Sequence, residues 1–371
     1  MTKQKILFFH FDLGNGGAER VLINLVNALD PKKYDISVKT IYKYGDNKDL
    51  LKPHVTWQWV FNHAPIPGLN KLLTLFPPRL LHRLWVREHY DVEIAFLEGS
   101  VARVISGCPD KTTRLFAWIH VEISDLKRYF KSFRSLSEAS KCYHKFHKIA
   151  FVSENTRTSF ISQTGWNDLS TAVVHNVLDV DEIKSQASQP IPLELDATCV
   201  NLCSIGRLNY QKGYDRLFAA LARLCREGVQ NWHFYLLGQG EEKAKLEDFA
   251  RENGLEKNVS FLGYIQKPYN YLSKMDAFVC SSRFEGYSTA VTEAVLLQLP
   301  VITTECSGMK EILGEDYPGI YENSEEGIFT GLKCYFSDPI FAKNLKKSVT
   351  LHSSAFSTAS LLAEFTTFIN D

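Results

Sequence analysis

Along most of the chain, short runs of apolar residues alternate with stretches whose apolar positions recur every three or four residues. KILFFHF at 5–11 is nearly all apolar and breaks at Asp12-Leu13-Gly14-Asn15-Gly16-Gly17. It is followed at 18–29 by AERVLINLVNAL, apolar at helical spacing, so a buried strand, a Gly-rich turn and a helix are predicted. Residues 35–41, 92–96, 115–119 and 148–152 have the same buried-strand character. Strands separated by helical stretches imply a mainly parallel sheet covered on both faces.

The pattern dissolves around 176–195, a polar segment containing Gln189, Pro190 and Pro192 where a linker is expected. A second series then begins, with strands expected at 198–204, 233–237, 259–261, 277–280 and 300–303 and amphipathic helices such as 214–227 and 241–253. The expected organisation is α/β: an amino-terminal Rossmann-like domain over 1–180 and a carboxy-terminal one over 196–350. The final segment, 351–371, contains an amphipathic stretch at 358–369 that either closes the second domain or crosses back to the first.

A length of 371 residues fits about two domains, and 45% hydrophobic residues can form an ordinary core. Lys and Arg total 42, as do Asp and Glu, which leaves no overall basic field, and nucleic acid is not an expected partner. The eight cysteines, at 108, 142, 199, 203, 225, 280, 306 and 334, form no C-x-x-C pair and are not flanked by His pairs at ligand spacing. Reduced, mostly buried thiols are expected, with no metal and no cofactor. The amino terminus has no small-residue cleavage site, and no apolar run approaches the ~18 residues of a membrane span. The expected location is cytoplasmic, peripheral to a membrane at most.

Candidate chemistry follows the strand ends. Gly16 and Gly17 lie between a strand and a helix, where free backbone N–H groups favour an anion and absent side chains let a phosphate approach. A tight turn uses glycine for its own sake as well, and the spacing is not G-x-G-x-x-G, because Glu19 and Arg20 follow. SIGRLNYQKG at 204–213 places Arg207 and Lys212 after a strand and before a helix, at the carboxyl edge where open α/β sheets bind ligands. A guanidinium and an ammonium there suit a diphosphate. LGQGE at 237–241, with Gly240, leaves room for a nucleobase or ribose. In FEGYSTAVTEA at 284–294, Glu285 stands in a loop, Ser288 or Thr289 can cap a helix, and Glu293 falls in its second turn. Carboxylates suit sugar hydroxyls, and exposed N–H groups suit phosphate.

The GGAER turn, the SIGRLNYQKG loop, LGQGEE, FLGY, and FEGYSTAVTEAVLLQLPVITT with SGMKEIL occur in this order. As a set they resemble the retaining glycosyltransferases of family four, which have the GT-B fold: two Rossmann-like domains with mainly parallel sheets facing across a cleft. The resemblance implies that Arg207 and Lys212 bind the donor diphosphate, that Glu285 contacts the donor sugar and that Glu293 binds ribose hydroxyls. It places Gly240, Tyr287, Ser288 and Thr289 around the donor, the base near Ile265, and Gly16 and Gly17 in a flexible loop beside diphosphate and acceptor. His120, in Trp118-Ile119-His120, matches the family's active-site histidine, although a structural, hydrogen-bonded role is also open to it. The sequence departs from the family pattern at Gln298 and Ser307, each in place of glycine, and at Tyr287-Ser288, where Phe-Pro is common.

Asp179-Val180-Asp181 has the D-x-D form of a metal-dependent glycosyltransferase motif, but it lies away from the phosphate loop, and Arg207 with Lys212 already supplies positive charge. Two basic, apolar stretches, 69–89 and 124–150, favour docking on anionic membrane over a merely solvated helix face. The expected activity is hexosyl or N-acetylhexosaminyl transfer from a nucleoside-diphosphate sugar, with UDP as the nucleotide. The expected acceptor is a glycan or lipid-linked glycan of cell-surface polysaccharide synthesis. A sugar-nucleotide epimerase of the same architecture and a non-catalytic sugar-nucleotide-binding subunit are the alternatives.

Overall fold

A computed structural model of the chain describes every residue except Met1, Pro67 and Ser124, and excludes the side chains of Leu69 and Asn70. Ser124, which opens the second basic stretch, is thus outside the described residues. The described strands form two sheets, and every pairing is parallel. The first contains β1 (Gln4–His10), β2 (Tyr34–Tyr42), β3 (Val55–Phe61), β4 (Val92–Ala95), β5 (Arg114–Ile119), β6 (Lys148–Phe151) and β7 (Thr171–Val173), in the order β3-β2-β1-β4-β5-β6-β7. The second contains β8 (Val200–Ile205), β9 (Trp232–Leu237), β10 (Val259–Gly263), β11 (Ala277–Cys280), β12 (Val301–Thr304) and β13 (Ile320–Tyr321), in the order β10-β9-β8-β11-β12-β13.

Strand order reverses between β1 and β4 in one sheet and between β8 and β11 in the other. Such switch points open a crevice at the carboxyl ends of the strands. Gly16 and Gly17 follow β1, and Arg207 and Lys212 follow β8, so the glycine turn and the cationic loop each border a switch point.

The chain divides into two compact units, one of residues 1–178 with 358–371, the other of 179–357. The carboxy-terminal helix Thr358–Asn370 belongs to the first unit. Its Phe365 stacks on Phe8 and Trp118 at 6.0 Å, and Phe368 lies 5.0 Å from Phe116. Each such buried phenyl contributes about 1.5–3 kcal/mol. Glu364 on the same helix accepts the His175 backbone N–H at 2.9 Å.

The linker expected at 176–195 is not a linker throughout. Residues Val180–Ala187 form a helix inside the second unit, whose Ala187 carbonyl accepts the Ser273 hydroxyl at 2.7 Å and whose Glu182 pairs with Lys267. Its polar sequence reflects a half-exposed surface helix. Asp179 is its N-cap, accepting the Glu182 N–H at 3.0 Å, so the first carboxylate of the D-x-D form is engaged in capping the start of a helix.

Candidate active site

In the second unit, the loop from β8 and the loop from β11 are tied together. Lys212 Nζ lies 2.6 Å from Glu285 Oε1, and the same oxygen accepts the Ser282 hydroxyl at 2.6 Å. Glu285 is 7% exposed. Burial alone would pull the Lys212 ammonium down, but the Glu285 carboxylate outweighs it and raises its pKa above the ordinary lysine value. Lys212 therefore stays charged across the physiological range.

Backbone geometry supports this contact. Lys212 closes a short 3-10 turn, Tyr210–Lys212, capped by Asn209, and Gly213 follows at φ +63° as the entry to the helix Tyr214–Arg226. A Cβ on Gly213 would sit 2.2 Å from the Ser281 carbonyl oxygen, so glycine lets the two loops touch. Ser281 Oγ donates to the Lys212 carbonyl at 2.8 Å, and Arg283 forks onto Asp215 at 2.8 and 2.6 Å while lying 4.0 Å over the Tyr210 ring. Arg216 donates to the Ser281 carbonyl at 2.7 Å. Arg207 itself is exposed.

Ser288 is the N-cap of the helix Thr289–Leu296, its hydroxyl facing the Val291 N–H at 3.5 Å, and Thr289 is the first helical residue. Glu293 lies in the second turn, 8% exposed, and accepts the Tyr269 hydroxyl at 3.2 Å. Tyr287 is buried, and Ile265 is half-buried in the loop after β10. At Gly240 the absent side chain also has a packing reason. A Cβ there would lie 2.3 Å from the Leu208 carbonyl oxygen, so its missing side chain is filled by the neighbouring loop. Gln298 takes φ +57°, the left-handed conformation that glycine adopts readily, and Leu299 N–H closes the helix end on the Ala294 carbonyl at 2.8 Å.

The first unit gathers a different set of groups at the ends of β1, β4 and β5. Gly16 caps the helix Gly17–Ala28, with the Glu19 carboxylate folded over it. His120 follows β5, and its backbone N–H donates to Glu98 Oε2 at 3.2 Å. Burial, then the neighbouring His10, push the His120 pKa down to about 3. His10 is fully buried, which lowers its pKa, and its Nδ1 lies 2.8 Å from the Asp12 carbonyl oxygen. In both rings Nε2 is buried without a hydrogen-bond partner among the described residues. Glu98 is raised to about 7, chiefly by burial and partly by Glu19.

Residues 191–350, within the second unit, match the family described as "Glycosyl transferases group 1". The chain is 26% identical to the N-acetylgalactosamine-N,N'-diacetylbacillosaminyl-diphospho-undecaprenol 4-alpha-N-acetylgalactosaminyltransferase of Campylobacter jejuni, across 95% of this chain and 96% of that one. It is 23% identical to the lipopolysaccharide 1,6-galactosyltransferase of Salmonella typhimurium, across 81% and 80%. Among solved structures it is similar to HepE of Anabaena in complex with UDP and glucose, with a TM-score of 0.75 and 18% identity over 99% of each chain. Sucrose-phosphate synthase from Thermosynechococcus elongatus superposes with a TM-score of 0.77 and 15% identity, over 99% of this chain and 98% of that one. Residues 191–350 thus form a group 1 glycosyltransferase module, and the chain as a whole is similar to glycosyltransferases.

The fold of the transferase is GT-B. Of the residues singled out from its sequence, Lys212 and Glu285 are in direct contact, whereas Glu293 has its own partner in Tyr269. Missed from the sequence were Asp215, Arg216 and Arg283, which hold the two loops of the transferase together, Ser282, which bonds Glu285 within its own loop, and His10 and Glu98 beside His120. Asp215 and Arg216 lie in the first turn of the helix that follows the glycine of the cationic loop, a helix-start signal that could have marked them; Ser282, Arg283, His10 and Glu98 carry no local signal.

Proposed function

We propose that the transferase is retaining and moves a hexose or N-acetylhexosamine from a UDP-sugar to a lipid-linked glycan in cell-surface polysaccharide assembly. The observation that carries this reading is the Lys212–Glu285 pair at the β8/β11 switch point, with the exposed Arg207 in the same loop after β8. A permanently charged ammonium and a guanidinium offset the charge that develops on a departing diphosphate. Lys212 and Ser282 both bond Oε1 of Glu285, leaving Oε2 for a sugar hydroxyl. Glu293, with Tyr269, is assigned to the ribose, Ile265 to the base, and Gly16, Gly17, Tyr287, Ser288 and Thr289 to the edges of the donor.

In this mechanism the bond between the anomeric carbon and the diphosphate oxygen breaks first, leaving an oxocarbenium-like sugar. A phosphate oxygen on the departing face takes the proton of the acceptor hydroxyl as that oxygen attacks from the same side, which retains configuration. His120, neutral at physiological pH, serves as a hydrogen-bonding partner for a sugar hydroxyl and not as a cation. The UDP donor is supported by the HepE complexes, and a lipid-linked acceptor by the Campylobacter relative.

Membrane docking is supported by the first unit. No helix among the described residues is long and apolar enough to cross a membrane. The helix Pro78–Trp85 buries Leu81, His82 and Trp85 and exposes Arg79, Leu80, Arg83 and Leu84. Leu72, Leu75 and Phe76 just before it are also exposed. Arg134, from the second basic stretch, donates to the Thr74 and Leu75 carbonyls at 2.6 Å each, so the two stretches meet. Buried Arg103 holds the same segment through the Leu73 and Phe76 carbonyls and is neutralised by Glu138 at 2.9 Å.

A panel of UDP-, GDP- and ADP-sugars, assayed for binding and slow hydrolysis with and without chelator, tests the donor assignment. UDP-sugars alone are expected to bind, independent of chelator; a preference for GDP- or ADP-sugars overturns it. Conversion of donor without any acceptor would replace the transferase by an epimerase.

A further inference from the structure

At the other end of β4 from Glu98, the first unit holds a cluster that the transferase reading does not use. His82 Nε2 lies 2.7 Å from Glu93 Oε2, and Cys108 Sγ lies 3.8 Å from Glu93 Oε1. His82 and Glu93 are 4% and 2% exposed. The three side chains come from separate elements: His82 from the helix Pro78–Trp85, Glu93 from β4, and Cys108 from the loop after the helix Ser100–Ile105. A cavity of about 360 Å³ adjoins them, lined also by Arg83, Arg87 and Asp110.

We propose that His82, Glu93 and Cys108 are a binding site for one divalent transition metal ion of the zinc class, with the cavity supplying its remaining coordination position. A buried carboxylate needs compensating charge, yet among the described residues no Lys or Arg pairs with Glu93. Nε2 is the ring nitrogen turned to Glu93, so an ion held by both takes the place of their hydrogen bond and leaves the ring proton on Nδ1, which is buried with no hydrogen-bond partner among the described residues. Nitrogen, oxygen and sulfur donors together select zinc or cobalt over magnesium or calcium, which prefer all-oxygen shells.

Three donor atoms, one per residue, lie within 4.8 Å of one another. A tetrahedral shell with bonds of ~2.0–2.3 Å needs roughly 3.3–3.8 Å between donors, a change within reach of side-chain rotation. Binding releases the Cys108 proton to water, and a dication, one carboxylate and one thiolate then sum to zero charge in the buried site. The ion would fasten the helix bearing Leu80 and Leu84 to the sheet beneath it.

The test uses the full chain, stripped with chelator and titrated with cobalt(II), then zinc(II). One cobalt per chain is expected, with a thiolate-to-cobalt charge-transfer band in the near ultraviolet that zinc abolishes. The band should vanish in Cys108→Ser and persist in Cys225→Ser. Absence of the band, or its survival in folded Cys108→Ser, overturns the site. Should Cys108→Ser fail to fold, alkylation of the unmodified chain decides: zinc should slow labelling of Cys108 several-fold and leave Cys225 and Cys334 unchanged. Equal labelling with and without zinc overturns the proposal.

Discussion

The two units treat charge at their strand ends in opposite ways. In the second, buried and half-buried groups keep their charges because each has a partner: Lys212 with Glu285, Arg283 with Asp215. In the first, the corresponding groups have no countercharge and are shifted towards their neutral forms, His120 down to about 3 and Glu98 up to about 7. The difference teaches that burial alone does not set the chemistry of a site. A charged partner turns a desolvated group into a fixed cation fit for a diphosphate, and its absence leaves neutral donors and acceptors fit for hydroxyls.

The most damaging way to break this contrast is Lys212→Ala. It removes a diphosphate ligand and strands the Glu285 carboxylate. Turnover should fall by at least about 10³-fold, and stability by about 3 kcal/mol; steady-state kinetics and urea unfolding check both. Wild-type turnover in that variant would remove the charged-site half of the comparison. Arg207→Ala separates chemistry from folding, because its side chain is exposed. Turnover should drop about 10²- to 10³-fold with the unfolding midpoint unchanged.

The neutral site is sharpened by pH. Below about 6.5 an unfolded histidine takes up a proton that buried His120 refuses until about 3, so its contribution to stability is present above 6.5 and lost as pH falls. His10, lowered in the same direction, adds to this loss. Glu98 has the opposite sign: its contribution is full below about 4.5 and is lost as pH rises through about 7. Between pH 5 and 6.5 the His120 and Glu98 slopes oppose each other. Relative to wild type, Glu98→Gln should steepen the rise of stability with pH, and His120→Asn should tilt it the other way, each by about 1.4 kcal/mol per pH unit. Urea midpoints across that range read the slopes; parallel profiles for all three proteins would mean that neither group is buried as described. The smallest effect is expected far from both sites, at Gln298→Gly, which relieves a left-handed conformation and should stabilise by about 1 kcal/mol without altering turnover.

Legibility in the sequence followed position within the sheets. β1, β2, β4, β5, β6, β8, β9, β11 and β12 were all visible as apolar runs, because strands inside a parallel sheet are covered on both faces, and the edge strand β10 was read as well, at 259–261. The three strands left unread, β3, β7 and β13, are all edge strands. In β3, VTWQWVF, only Val55 is buried, so no continuous apolar run announces it. β7 and β13 are three and two residues long, too short to carry a period. The site divides the same way. Arg207, Lys212, Glu285 and Glu293 were readable from local motifs, whereas Arg283 became meaningful only through its bonds to Asp215 in another segment. The packing reason for glycine at 240, the Leu208 backbone beside it, was likewise invisible in the motif.

By itself the sequence determined two parallel α/β units and a cationic loop at a strand end, because periodicity and turn chemistry act over a few residues. Only the tertiary structure decided that Lys212 meets Glu285 across 73 positions, that the last helix returns to the first unit, and that His82, Glu93 and Cys108 share one buried spot. Those proximities come from strand order and packing, which bring distant segments together and then set the charge each side chain can hold.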